Sequence, residues 1–227
     1  MPRAHRHFLP GHIWHITHRC HQRKFLPKFV RDRRRYLHWL FEAKKRFGLC
    51  VLDYVVTSNH IHLLVKDTGV NAIAESMQLI AGRTAQKYNQ RKNRQGAFWE
   101  DRYHATAIEN DEHLHRCLAY IDLNMVRAGV VNHPAQWKES GFVEIQNPPK
   151  RYAIIDSQRL SALCGFAGST DFQSAHWQWV EQGLENGLAV EPDGAADVQA
   201  GDVGVSSILT NASSGDTQKL GQRSGGI

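Results

Sequence analysis

The chain has 227 residues, 41% hydrophobic and 22% charged, with six tryptophans, which suits one ordinary domain with a tail or two small domains. No run approaches the ~18 uninterrupted apolar residues of a membrane span, and the basic start Met1-Pro2-Arg3-Ala4-His5-Arg6-His7 lacks the apolar stretch of a secretory signal, so a cytoplasmic protein without membrane contact is expected. Residues 1–150 hold 24 Lys/Arg against 13 Asp/Glu, and residues 151–227 the remaining 4 against 9; a basic body of this kind suits a polyanionic partner, or is simply a soluble basic protein.

The segment Ile13-Trp14-His15-Ile16-Thr17 predicts a first strand, in a stretch running from about Gly11 to Cys20. A helix then opens near Asp32, carries Tyr36, Leu37, Leu40, Phe41 and Phe47 at helical spacing, and stops at Gly48. Leu49 to Thr57 and His60 to Lys66 predict two strands joined by a tight turn at Ser58-Asn59. An amphipathic helix follows from about Asn71 to Lys92, with Ile73, Met77, Ile80, Ala81, Thr84 and Tyr88 as its apolar set. Arg102 to Ile108 predicts a fourth strand, and Asn110 or Asp111 caps a helix that runs to about Ala128 before Gly129. Residues 131–166 are less regular, His176 to Leu184 is a further helix, and the Gly-, Ala- and Ser-rich stretch from about Gly187 has the composition of a disordered segment. The order strand, helix, strand, strand, helix, strand, helix is that of an α+β protein: a ferredoxin-like antiparallel sheet with helices on one face, plus a C-terminal helix.

Two features carry chemistry. His60 and His62 stand at i and i+2 on an apolar strand, so their imidazoles share one face, and two such side chains make half of a divalent-metal site. Tyr120 and Asn124 stand one helical turn apart and share a face in the same way. Taken singly, each has a plainer reading: His-x-His arises by chance among 14 histidines, Tyr120 is an ordinary core aromatic, and Asn124 bridges neighbouring backbone. The four cysteines, Cys20, Cys50, Cys117 and Cys164, form no CxxC pair, which argues against a zinc ribbon and a disulfide framework and for buried free thiols.

Three segments together resemble the single-tyrosine HUH transposases, and within them the REP-associated tyrosine transposases of bacteria. They are Asp53-Tyr54-Val55-Val56-Thr57-Ser58-Asn59-His60-Ile61-His62-Leu63-Leu64-Val65, Phe98-Trp99-Glu100-Asp101-Arg102-Tyr103, and Ala119-Tyr120-Ile121-Asp122-Leu123-Asn124-Met125-Val126-Arg127-Ala128-Gly129. The resemblance covers residues 10–150, which it marks as the transposase domain, with 151–186 a partly helical extension and 187–227 a disordered tail. It implies Mg²⁺ or Mn²⁺ on His60, His62 and Asn124, and Tyr120 as the nucleophile that cuts single-stranded, hairpin-bearing, REP-like DNA through a 5′-phosphotyrosine. The product keeps a phosphodiester's bond energy, so a strand can be rejoined rather than hydrolysed. A nucleoid-associated bacterial protein, monomeric or homodimeric, is the corresponding expectation.

Arg31, Arg33, Arg34 and Arg35 on the first helix, Arg83, Lys87, Arg91, Lys92 and Arg94 on and after the second, and Arg102 and Arg127 are candidates to hold DNA phosphates. A solvated helix face is the plainer reading of the first cluster. Trp14, Trp99 and Tyr103 are candidates to stack on unpaired bases, and Glu100, His104 and His113 are candidates for a general base. The rival functions are a non-cleaving hairpin-binding relative and a ferredoxin-like RNA-binding module, which would carry stacking aromatics on its central strands.

Overall fold

Alternating burial along the strands organises the molecule. In the computed structural model, which describes residues 8–69, 71–109 and 111–186, β1 (Ile13–Arg19), β2 (Cys50–Val56), β3 (His60–Lys66) and β4 (His104–Ile108) form an antiparallel sheet in the order β2-β3-β1-β4. This is the ferredoxin-like order anticipated from the sequence. Thr17 pairs with His62, Arg19 with His60 and His15 with Leu64, so these side chains lie on one sheet face. Trp14, Ile16 and His18 lie on the other and are buried.

The helices α1 (Val30–Phe47) and α2 (Ala72–Lys92) cover the Trp14 face, burying Tyr36 and Leu40 from one and Ile73, Met77 and Ile80 from the other. Trp99 wedges into this layer. It stacks on His18 with ring centroids 3.9 Å apart, meets Tyr36 edge-on and donates from Nε1 to the Ala81 carbonyl at 3.0 Å. Gly48 ends α1 in the left-handed region at φ 68°, where a residue without Cβ carries little strain.

The opposite face is covered by α3 (Asp111–Asp122), whose Leu114, Cys117, Leu118 and Ile121 are buried at helical spacing. Of its two expected caps, Asn110 lies outside the described residues. The single helix expected to run to Ala128 is interrupted: α3 ends at Asp122, Leu123 takes φ −79° and ψ 0°, and a short α4 (Asn124–Arg127) continues.

Downstream, α5 (Gly141–Gln146), α6 (Ser157–Leu163) and α7 (Ser169–Glu185) pack back onto this body, and α7 is longer than the sequence pattern indicates. Ser140 bridges Val55 and Ile155 bridges Val51, so the outer edge of β2 is covered rather than open. Lys44 fastens that covering segment, its Nζ donating to the carbonyls of Ala153 and Ile154 at 3.0 and 2.9 Å. All four cysteines are buried and free. Among the described residues no helix is long and apolar enough to cross a membrane. The tail expected at 187–227 lies outside the described residues.

Candidate active site

His60 and His62 project from β3 toward α3, with ring centroids 4.9 Å apart. Each ring is held through Nδ1. His60 Nδ1 donates to Asn59 Oδ1 at 2.7 Å and lies 3.1 Å from the Thr57 hydroxyl, which itself accepts from the His60 backbone N–H at 3.0 Å. His62 Nδ1 shares a 2.9 Å hydrogen bond with His15 Nε2 and lies 3.3 Å from Thr17 Oγ1. A proton on each Nδ1 leaves the Nε2 lone pair to face a ligand, the arrangement by which partners of a metal-binding histidine fix its tautomer.

The electrostatics keep these imidazoles neutral. Burial, then the charge of Arg19, lowers His60 from 6.5 to about 4, with the Asn124 amide pulling the other way. His15 is lowered to about 4 by burial and by His113. His62 is pushed well below its ordinary value by burial, by His15 and His60, and by Arg127 and Arg19. Neutral imidazole is the form that binds a metal ion.

Tyr120 reaches the same place from α3. Its ring stands edge-on to His62 at 5.5 Å and to His15 at 5.9 Å between centroids. Arg127 holds it from the far side of the helix break: the guanidinium carbon lies 3.8 Å from the Tyr120 ring centroid, and Nη2 donates to the Tyr120 carbonyl at 2.9 Å. Asn124 begins α4 and is buried beside His60, close enough for its amide to act on that ring, yet no donor meets its Oδ1 with full hydrogen-bond geometry. An amide oxygen so placed near two neutral imidazoles is a donor set that fits a divalent ion with room for phosphate and water. Among the described residues no group of three or more His, Cys, Asp or Glu is placed to hold a metal ion, so an ion here draws on two imidazoles and one amide.

A second polar cluster lies behind the tyrosine. His176 of α7 shares a 2.7 Å hydrogen bond with Asp122 Oδ2, and its Nδ1 lies 3.0 Å from Gln146 Nε2. On the same side Glu144 accepts from Tyr54 Oη at 3.0 Å and from the N–H groups of Ile154 and Ile155 at 2.6 and 2.8 Å. Burial, with the charges of Asp122 and Glu144 adding to it, raises the Asp53 carboxyl well above the ordinary range.

The structure thus brings together His60, His62, Tyr120 and Asn124, and sets most of the basic candidates elsewhere. Arg31, Arg35, Lys87 and Arg91 line one cavity between α1 and α2. Arg34 reaches toward Glu139 at 3.8 Å, Arg83 lies over Trp39 at 5.9 Å and Lys92 over Phe29 at 5.2 Å. Arg94 ties its own loop together through Asn89 Oδ1 and the Ala97 carbonyl, and Arg102 lies exposed before β4. Arg33 is not available to phosphate: it is buried, paired with Glu139 at 3.1 Å and stacked on Trp137. Trp14 is fully buried and has no face to offer a base. His104 pairs with Thr17 on the site's sheet face, His113 acts on His15, and Glu100 is exposed. The sequence reading passed over His15, Thr17, Thr57 and Asn59; the alternation of polar and apolar residues along β1 was the signal for the first two.

Residues 10–124 match the family model of IS200-like transposases, a span containing all four clustered residues. Among solved structures, the chain is similar to a REP-associated tyrosine transposase bound to a REP hairpin, at 20% identity and a TM-score of 0.53 over 63% of this chain and 84% of that one. A candidate transposase of Deinococcus radiodurans R1 aligns at 12% identity and a TM-score of 0.38, over 57% and 98% of the two chains, and is too distant to carry an argument. The first similarity is one of fold. No curated protein matches.

Proposed function

The chain belongs to the family of IS200-like transposases, and from that premise we propose that it cuts and rejoins single-stranded, hairpin-bearing DNA, with Tyr120 as nucleophile and His60, His62 and Asn124 as the ligands of Mg²⁺ or Mn²⁺. The observation that carries the proposal is the convergence of Tyr120 on His62, with ring centroids 5.5 Å apart, beside the buried Asn124 amide. The hairpin in the solved REP-associated relative supports the substrate class.

When bound, the ion supplies Lewis-acid polarisation of a non-bridging phosphate oxygen. The protein's own residues do the rest. Tyr120 Oη attacks phosphorus, a Tyr–O–P bond forms, the bond from phosphorus to the 3′-oxygen breaks, and that oxygen leaves with a proton as a free 3′-hydroxyl. Arg127 holds the Tyr120 ring and carbonyl, so the phenol is oriented before the strand arrives. Asn59, Thr57, His15 and Thr17 fix the two imidazoles. Contact between Tyr120 and His62 of one chain supports cleavage within a single subunit, whether that subunit is alone or in a homodimer. The RNA-module reading is disfavoured because α3 and Tyr120 cover the sheet face an RNA would use.

The test is incubation of the full chain with a pool of hairpin-bearing single strands in Mn²⁺ and in chelator. Covalent protein–DNA adducts in Mn²⁺ that vanish in chelator are expected. Hairpin binding without any adduct points to the non-cleaving relative, and equal adduct in chelator removes the metal from the mechanism.

A further inference from the structure

Arg19 closes β1 directly across from His60 in the ladder with β3, on the sheet face that carries two of the proposed ligands of the ion. Its main chain is clamped on two sides. The Arg19 carbonyl accepts from the Glu100 N–H at 3.0 Å, and the next N–H, of the buried Cys20, donates to the Asn59 carbonyl at 2.8 Å. Asn59 is also the residue whose Oδ1 holds the His60 ring. The Arg19 side chain, by contrast, is exposed, and among the described residues no carboxylate, hydroxyl or ring takes its guanidinium. A rigid strand end thus holds a cation at the rim of the site with its head uncommitted.

The two imidazoles and the Asn124 amide bring no negative charge to the ion, and Arg19 adds positive charge beside them. That charge joins burial in lowering His60, and joins burial, His15, His60 and Arg127 in lowering His62. A cation close enough to disfavour an imidazolium also disfavours a dication on the same two rings. Arg127 acts on His62 as well, but its guanidinium is committed to Tyr120. An anion between the ion and Arg19 reverses the sign, because both cations then attract it. A phosphodiester supplies one negative charge, and more develops on its non-bridging oxygens as Tyr120 attacks. We infer that Arg19 couples the ion to the strand: alone it opposes the ion, and with a DNA phosphate bridging the two it favours both. The coupling rests on the reading of His60, His62 and Asn124 as the ion's ligands, and it means that the ion is held tightly only when a strand is present. By linkage, the ion strengthens strand binding by the same factor.

The first measurement is Mn²⁺ binding to the full chain without DNA, followed by the electron paramagnetic resonance of free Mn²⁺. Arg19→Gln removes the charge from an exposed head and should bind Mn²⁺ about threefold to tenfold more tightly than wild type. Arg19→Lys keeps the charge and should stay close to wild type. The second measurement is fluorescence anisotropy of a labelled pool of hairpin-bearing single strands with Tyr120→Phe, which lacks the attacking oxygen, in Mn²⁺ and in chelator. Mn²⁺ should tighten strand binding about tenfold where Arg19 is present, and about twofold or less when Arg19→Gln is added. The opposite signs, a tighter ion and a smaller gain on the strand, separate coupling from loss of fold, which weakens both. Mn²⁺ binding that is unchanged or weaker in Arg19→Gln overturns the inference, as does a gain on the strand that survives Arg19→Gln. Neither readout involves cleavage, so failure here leaves the strand-transfer proposal standing, and absence of adducts leaves the coupling standing.

Discussion

His176 and Asp122 share a 2.7 Å hydrogen bond with side chains 1% and 0% exposed, joining α7 to α3 at a point two residues past Tyr120 and two before Asn124. The helix carrying the proposed nucleophile is therefore anchored by a residue well outside the span that matches the transposase family. Replacing His176 by Ala leaves the buried Asp122 Oδ2 without its hydrogen-bond partner and should cost about 1–3 kcal/mol of stability, read as a lowered urea midpoint. His176→Gln keeps a donor and should recover part of the loss. A midpoint unchanged in His176→Ala would mean that α7 does not brace the tyrosine helix.

Arg127 grips Tyr120 at both ring and carbonyl. Arg127→Ala should lower the rate of adduct formation by about tenfold to a hundredfold, as expected for losing roughly 1.5–3 kcal/mol of interaction. Arg127→Lys keeps the charge without the planar fork and should recover only part of the rate. Single-turnover cleavage in saturating Mn²⁺ measures this, and an unaltered rate in Arg127→Ala would exclude the positioning role.

His15 touches His62 rather than the proposed ion, so its effect should appear as metal affinity. His15→Ala should weaken Mn²⁺ binding by about tenfold to a hundredfold, in line with other hydrogen-bond partners of metal-binding histidines. Titration of Mn²⁺ against adduct yield reads the shift; if excess Mn²⁺ does not restore the yield, His15 has some other part in the reaction.

The acid sensitivity of the metal-free protein has a defined direction. His15 and His60 take up a proton only near about 4 in the fold, against 6.5 ordinarily. Between those limits the unfolded chain binds more protons, so stability rises with pH: it is complete above the unfolded value and is lost as pH falls toward the folded one. Each histidine contributes about 1.4 kcal/mol per pH unit inside that window. Urea midpoints in chelator should be lower at about pH 5 than at about pH 7.5, and His15→Gln should flatten the difference.

What the sequence disclosed, and what it withheld, follows from the range of the interactions. The paired histidines on β3 and the turn at Ser58-Asn59 are local, set by side-chain alternation and by a two-residue loop, and both are found as expected. The contact of His15 with His62 depends on the register of β1 against β3, two strands 47 positions apart, which no local pattern encodes. The break at Leu123 was hidden because Leu123-Asn124-Met125 contains neither Gly nor Pro. Arg33 reads as surface charge among its neighbours, and its burial depends on Glu139, 106 residues away.

The central claim is that Tyr120 becomes covalently joined to DNA. The most direct measurement is mass spectrometry of peptides from the full chain after reaction with hairpin-bearing single strands in Mn²⁺, comparing wild type with Tyr120→Phe. The account predicts a nucleotide adduct on Tyr120 in the wild type and none in Tyr120→Phe, with hairpin binding retained by the variant. An adduct on another residue, or one that persists in Tyr120→Phe, would contradict it.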